Sequence, residues 1–467
     1  MSRAGSAERV LVGCLGAYAA IGGLGSCWLL AHRTVPDWIL PVACLLGALL
    51  AATHRTGPAP DPAPARPFLV WLALATVVTL TAVLAYGSLA TPSREWDGAV
   101  AWDLKTAVLR ADPSLEQPFF REPAVYCHSR DYPLLQPLAI ALVERAGLPG
   151  RLLFPLAHLL LVAAVLAAAR RAGAGGNRAL LFATACAVTP MLVNPTGGGF
   201  DSGYGDAVLA AVLAAAALGV AGRIPLLVAL AVFVAALQKP EGLPYAALLV
   251  AACALAGDSK LLRPATGALC VAGALALSMQ HDLLDLGRTS TWWRCAGASA
   301  GLGAAVLGLD AWLTRRRAAL PTRLVVLLLA LPLAVVCLAW LTGQHGSLGV
   351  HVADGARPLH RIGRLPAILL AIADWGWLQG RFGLTFVLPL VIAVAQRRQR
   401  AAGTAPALRN WLLLAVPLWC AAFLLSPIDD LEHHLRSTLP RLLLHWCGVA
   451  WCWSATQPLT RDGPQAT

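Results

Sequence analysis

FLVWLALATVVTLTAVLAYGSLA, residues 68–90, carries no charge in 23 positions, and at 1.5 Å of rise per residue such a helix crosses the ~30 Å of a bilayer core. Directly behind it comes TPSREWDGAVAWDLK, residues 91–105, with five charged residues and two tryptophans. A helix satisfies its own backbone hydrogen bonds, as hydrocarbon demands. Charge and Trp at its end are what a membrane interface selects. The pair therefore reads as a lipid-spanning helix emerging into a water-facing loop.

Working outward, the same alternation fills the chain. Of 467 residues 58% are hydrophobic and only 13% charged, with a mean hydropathy of +0.66. Soluble domains carry about 25% charge. Spans are expected at 10–31, 38–53, 68–90, 151–169, 179–196, 206–221, 224–237, 243–257, 264–280, 296–313, 323–342, 381–396, 410–425 and 440–456. The class is thus an all-α integral membrane protein with about 14 transmembrane helices. Short apolar pieces at 134–146 and 366–379 suit interfacial or re-entrant segments. The first run is too long for a removed signal peptide and is expected to stay as an anchor. By this reading 1–90 holds N-terminal membrane helices, 91–133 an outer loop of catalytic type, 134–342 a central bundle, 343–380 a second outer loop, and 381–467 the C-terminal helices and a short tail.

Charge tests the alternation independently, because Lys and Arg of short loops gather on the cytoplasmic side. With the amino terminus inside, Arg3, Arg9, Arg55, Arg66, Arg170, Arg171, Arg178, Lys260, Arg263 and the arginines at 315–317 and 397–400 all fall on one side. Both termini are then cytoplasmic, as expected for a multi-pass protein of a bacterial plasma (inner) membrane. This placement accounts for the net charge of +12 without a nucleic-acid partner. Twelve cysteines lie mostly inside apolar runs with no CxxC pair, so neither a structural disulfide nor a zinc site is expected. No Walker or Rossmann glycine pattern is present.

The acid-bearing loops fall on the outer side, and function is sought there. REWD (94–97), WDLK (102–105) and HSRDYP (128–133) combine carboxylates able to take a proton with cations able to hold a phosphate. Their plainer reading is solvated loop charge with Trp96 and Trp102 as interface anchors. Residues 96–109 read as a helix lying on the membrane surface. In NPTGGGFD (194–201) and YGD (204–206), glycines permit close backbone approach, and Asp201 or Asp206 can equally cap the next helix. QKPEG (238–242) is an ionic break between apolar runs, where Lys239 and Glu241 either line a cavity or pair locally in an interfacial turn. In DDLEHHLRSTLPR (429–441) the acids and histidines are adjacent rather than spaced for a metal. Arg436 and Arg441 can hold a lipid phosphate or snorkel.

Taken in order, these motifs resemble the C superfamily of multi-spanning glycosyltransferases, which includes protein mannosyltransferases and the aminoarabinose transferases of lipid A. EWD (95–97) is similar to the family's first acidic motif, and DYPLL (131–135) to its second. YGDAVL (204–209) resembles a helix start, KPEG (239–242) a Lys-x-x-Gly turn, and HLRSTLPR (434–441) a late stretch of bacterial relatives. The resemblance implies an inverting transfer from a polyprenyl-phosphate sugar to an outer-face glycan, lipid or protein acceptor, among membrane lipid. It implies Asp97 as base and Asp131 as a second acid, beside Glu95. Lys105, Arg130, Tyr204, Asp206, Lys239, Glu241, His434 and Arg441 become substrate-binding candidates. No metal ligand set and no obligatory cofactor is expected, although Glu95 and Asp97 form an acid-x-acid pair able to hold a divalent cation weakly. The chain departs from better-known members in having two spans ahead of the acidic loop's own span and no large soluble domain, so the acceptor is not named. A transporter or lipid flippase of envelope intermediates is the rival reading.

Overall fold

The computed structural model describes residues 3–57, 63–93, 95–122, 125, 129–130, 132–194, 198–200, 202–284, 291–316, 361–396, 406–426 and 428–457. Among them every regular element is helical. In chain order these are α1 (Arg3–Leu30), α2 (Ile39–Thr53), α3 (Pro67–Ala90), a π-helical turn (Gly98–Asp103), α4 (Leu104–Ala111), α5 (Pro118–Arg121), α6 (Leu135–Arg145), α7 (Leu153–Arg171), α8 (Gly176–Ala187), α9 (Pro190–Val193), α10 (Gly205–Ala221), α11 (Pro225–Gln238), α12 (Gly242–Ala256), α13 (Ser259–Leu283) and α14 (Thr291–Arg315). After them come α15 (Leu365–Ala373), α16 (Val387–Gln396), α17 (Pro406–Leu425) and α18 (Leu431–Thr456). Among the described residues six helical segments are long and apolar enough to cross a membrane. The chain is an all-helical membrane protein.

Helix α10 is the central post. Every residue from Gly205 to Val220 is buried, packed against α7, α11 and α18. Between helices in lipid there is little hydrophobic drive, so close packing of small residues supplies the contact. The alanines of α10 serve that end: a side chain at Gly448 of α18 would strike Ala214 at 2.5 Å. Helix α3 is the opposite case. Phe68, Trp71 and Tyr86 are 72%, 69% and 73% exposed, an apolar surface suited to lipid.

Polar contacts sort the loops into two groups. Arg171 pairs with Glu8 and bonds the Gly57 carbonyl, Arg66 N–H donates to Asn177, and Arg178 reaches the Gln457 carbonyl. These join segments read as cytoplasmic. Arg145 holds Asp37, Arg121 holds Asp282, and Arg361 holds Asp429, joining segments read as outer. No contact in either set mixes the two.

Several boundaries differ from expectation. The span at 179–196 ends in α8, because Pro190 cannot continue the helix and the chain restarts as α9. The expected span 381–396 is shortened to α16, and 323–342 lies outside the described residues. Residues 134–146 form α6, buried from Leu135 to Leu142 rather than interfacial. Residues 366–379 follow α15 into a π turn with Leu370 and Leu378 exposed. The largest difference is at 96–109. Its helix turns Trp102, Lys105, Thr106 and Leu109 inward, an i, i+3, i+4, i+7 stripe that packs α4 on α6. It is a wall of the protein instead of a float on the membrane.

Candidate functional site

Four separate stretches converge on one buried ionic cluster. Asp206 stands in the first turn of α10, where the helix's positive end favours a carboxylate. It is fully buried and takes three partners: Lys239 Nζ at 2.7 Å, Arg441 Nη2 at 3.2 Å and His445 Nε2 at 2.7 Å. The N-cap position itself is Tyr204, so Asp206 stands inside the first turn and its side chain is engaged by these three partners. Arg441 also donates through Nη1 to Asp97 Oδ2 at 2.8 Å. One guanidinium therefore bridges the acidic loop after α3 to the buried start of α10. Two distinct edges of a planar fork are used, which suits arginine and no other cation.

Local sequence explains each position. Asp97 directly precedes the π turn Gly98–Asp103, a wider coil that is common at functional sites. Gln238 ends α11, Pro240 cannot extend it, and Lys239 adopts an extended conformation (φ −157°) that aims its ammonium inward. Glu241 then begins α12 and meets Lys239 at 3.3 Å. The local pair thus exists, yet Lys239 is 1% exposed and its shorter contact is with Asp206, so the break is a buried support rather than an interfacial turn. In α18, Arg441 and His445 are four residues apart and share a face. Gly198, at φ +97°, lies where a side chain would meet Asp206 Cβ at 3.1 Å. The glycine loop therefore packs on the site's acid.

Aromatic groups complete the surroundings. The Arg441 guanidinium lies 4.4 Å from the Tyr204 ring centre. Trp102, Ala101 and Tyr204 form a small apolar cluster with Tyr132 against it. Behind Asp206, His445 Nδ1 meets the Tyr245 hydroxyl at 3.1 Å, and Trp411 Nε1 donates to the Tyr245 carbonyl at 3.1 Å. An ionised carboxylate can only accept, so His445 donates to Asp206 through Nε2. Farther out, Gln136, Gln238 and Tyr18 form a buried chain of side-chain bonds, each 2.7 Å.

Of the residues singled out by sequence, Asp97, Glu95, Tyr204, Asp206, Lys239, Glu241 and Arg441 come together. Lys105 is buried and donates to the Ser129 carbonyl at 2.5 Å. Arg130 donates to the carbonyls of Glu122 and Val125, tying its own loop. His434 packs against the Phe423 ring at 4.8 Å, two helical turns from Arg441. Arg436 pairs with Glu432 on an exposed face. Asp131, His128 and Asp201 lie outside the described residues. Among the described residues no group of three His, Cys, Asp or Glu is gathered as a metal would need.

His445 and Tyr245 escaped the sequence reading. The available signal was an ionisable residue four positions beyond Arg441 inside an apolar span, where such groups are costly unless they serve a site.

No family model, no curated protein and no solved structure matches the chain.

Proposed function

We propose that the protein is a glycosyltransferase that moves a sugar from a polyprenyl phosphate to an acceptor at the outer face of a bacterial plasma membrane. In this reading the chain crosses the membrane about 14 times, with both termini cytoplasmic. The observation that carries it is the Asp97–Arg441–Asp206 bridge: a partly exposed carboxylate and a partly exposed guanidinium, held together by a buried ionic base.

Side-chain exposure divides the labour. Asp97 is 27% and Arg441 19% exposed, whereas Asp206 and Lys239 are at 0% and 1%. Arg441 is therefore the cation that can meet a phosphate, and Lys239 holds Asp206 and Glu241 in place. When a donor phosphate takes the outer edge of Arg441, Asp97 is released from its ion pair. The freed carboxylate accepts the proton of the acceptor hydroxyl. The acceptor oxygen bonds to the anomeric carbon as the bond from that carbon to the phosphate oxygen breaks, with inversion. The electron pair leaves on polyprenyl phosphate, whose new charge Arg441 stabilises. The reading calls for no cofactor.

The buried cluster of Asp206, Lys239 and His445 beside broken helices also suits a transporter or lipid flippase. Purified protein in liposomes separates the two. The transferase releases free polyprenyl phosphate as labelled sugar appears on an acceptor. Movement of the intact labelled lipid between leaflets, with no cleavage for any hexose or pentose donor, would replace this reading with the rival.

A further inference from the structure

Two loops meet beside the ionic bridge. One runs from the end of α3 through the π turn and carries Asp97; the other, the glycine loop, leads into α10 and Asp206. Their backbones touch. A side chain at Gly98, the residue after Asp97, would meet the Ser202 carbonyl oxygen at 2.5 Å. One at Gly203 (φ +81°) would run into the Ser93 hydroxyl, and one at Gly205 would meet the Trp102 ring at 3.1 Å. With glycine at all three points nothing spaces the loops apart, so holding one in place holds the other.

A chain of polar bonds outside the ionic cluster fastens this junction. Ser93 Oγ donates to Asp103 Oδ2 at 2.6 Å, which closes the segment between them into a ring that contains Asp97. Arg151 stands in a short 3₁₀ turn (Gly150–Leu152) ahead of α7. It donates through Nη2 to the same Ser93 hydroxyl at 3.1 Å and through Nη1 to the Thr91 carbonyl at 2.9 Å. One hydroxyl thus accepts from a cation and donates to a carboxylate, and both orient it. Thr91 is the C-cap of α3, so the guanidinium also meets that helix's negative end. The π turn is a rare coil, and the residue that ends it, Asp103, is the one tied back to Ser93.

We infer that Ser93, Asp103 and Arg151 are positioning residues, a clamp that holds the Asp97 carboxyl where it can take the acceptor's proton. The inference rests on the transferase reading and deepens it. None of the three has to touch substrate, and Asp103, whose carboxyl accepts the serine hydroxyl, is a support for the base rather than a second base. Arg441, the cation that meets the donor phosphate, is held separately by Asp206. The clamp therefore acts on the chemical step and not on donor binding. Misplacing a reacting group by about 1 Å can cost roughly a hundredfold in rate.

The test uses full-length protein in proteoliposomes with labelled polyprenyl-phosphate sugars and envelope acceptors, and reads kcat and donor KM separately. Asp103→Leu fills the space but offers Ser93 no acceptor, so kcat should fall roughly ten- to a hundredfold. Donor KM and the binding of sugar-free polyprenyl phosphate should stay within about twofold of wild type, since ground-state binding is untouched. Asp103→Asn still accepts from the Ser93 hydroxyl and should recover most of the rate, which separates a lost bond from a misfolded protein. Adding Ser93→Ala to Asp103→Leu should cost nothing further, because the two side chains act as a unit. A wild-type rate in Asp103→Leu, a loss carried by KM or phosphate binding, additive losses in the double variant, or an asparagine variant as slow as the leucine one would overturn the clamp and leave sugar transfer standing. Wild-type protein inert with every hexose and pentose donor would overturn both readings.

Discussion

Replacing Lys239 with methionine removes one charge from a cluster whose bookkeeping the structure makes explicit. Asp97, Asp206 and Glu241 face two permanent cations, Lys239 and Arg441, with His445 bonded to Asp206. Lys239→Met fits the same space but leaves three carboxylates against one guanidinium, two of them touching the vacated position. Breaking a buried pair in this way costs about 3–5 kcal/mol, chiefly from the uncompensated charge. A second change, Glu241→Gln, restores the original excess of one carboxylate and should recover at least ~1 kcal/mol, as expected for coupled neighbours. SDS titration of the purified protein in mixed micelles, followed by tryptophan fluorescence, gives the unfolding free energies for the cycle. A Lys239→Met cost below ~1 kcal/mol, or strictly additive variants, would refute the view that this lysine is the cluster's buried counter-charge.

Other consequences can be checked separately. Arg441→Lys keeps the charge but cannot span Asp97 and Asp206 with two edges, so sugar transfer should fall about a hundredfold with the unfolding midpoint little changed; full activity would show that the fork is dispensable. Asp37 in the α1–α2 loop is held below its ordinary value of 3.8 first of all by the hydrogen bond from Arg145. Its contribution to stability is therefore complete above that ordinary value and disappears as pH falls through the lowered one. Asp37→Asn should narrow the wild-type advantage accordingly on acidification. The pair is exposed, so the difference should be small and shrink in high salt, and an advantage that grew on acidification would contradict the assignment. Alkaline phosphatase fused behind Glu116 should be active and behind Gly173 inactive, as the positive-inside rule requires; the reverse pattern would invert the topology.

The helical class was legible because it depends on composition and span length, which are properties of single segments. Thus 206–221 and 243–257 reappear as α10 and α12 within a residue or two. Boundaries slipped where a proline or an inward stripe intervened, as at Pro190 and at Lys105. The hydrophobic pattern of 96–109 suits either a membrane surface or a protein wall, and only the neighbouring α6 decides between them. Residues of the site were found where they sit at breaks, because a charge beside an apolar run stands out. Asp97, Asp206, Lys239 and Arg441 have that signature. His445 and Tyr245 lie within spans, and their partners are 239 and 200 residues away. No local pattern encodes such pairings. Lys105 lies in the interior of a helix that faces inward, and its ammonium donates to the Ser129 carbonyl.

The most direct test of sugar transfer at this site is the rate of Asp97→Asn in proteoliposomes supplied with labelled polyprenyl-phosphate sugar and envelope acceptors. The asparagine keeps the size of the side chain and a hydrogen-bond acceptor for Arg441 but cannot take the acceptor's proton. Transfer should fall by roughly a hundred to ten thousand fold, while the unfolding midpoint and the binding of polyprenyl phosphate are retained. A variant that transfers sugar at the wild-type rate would contradict the account.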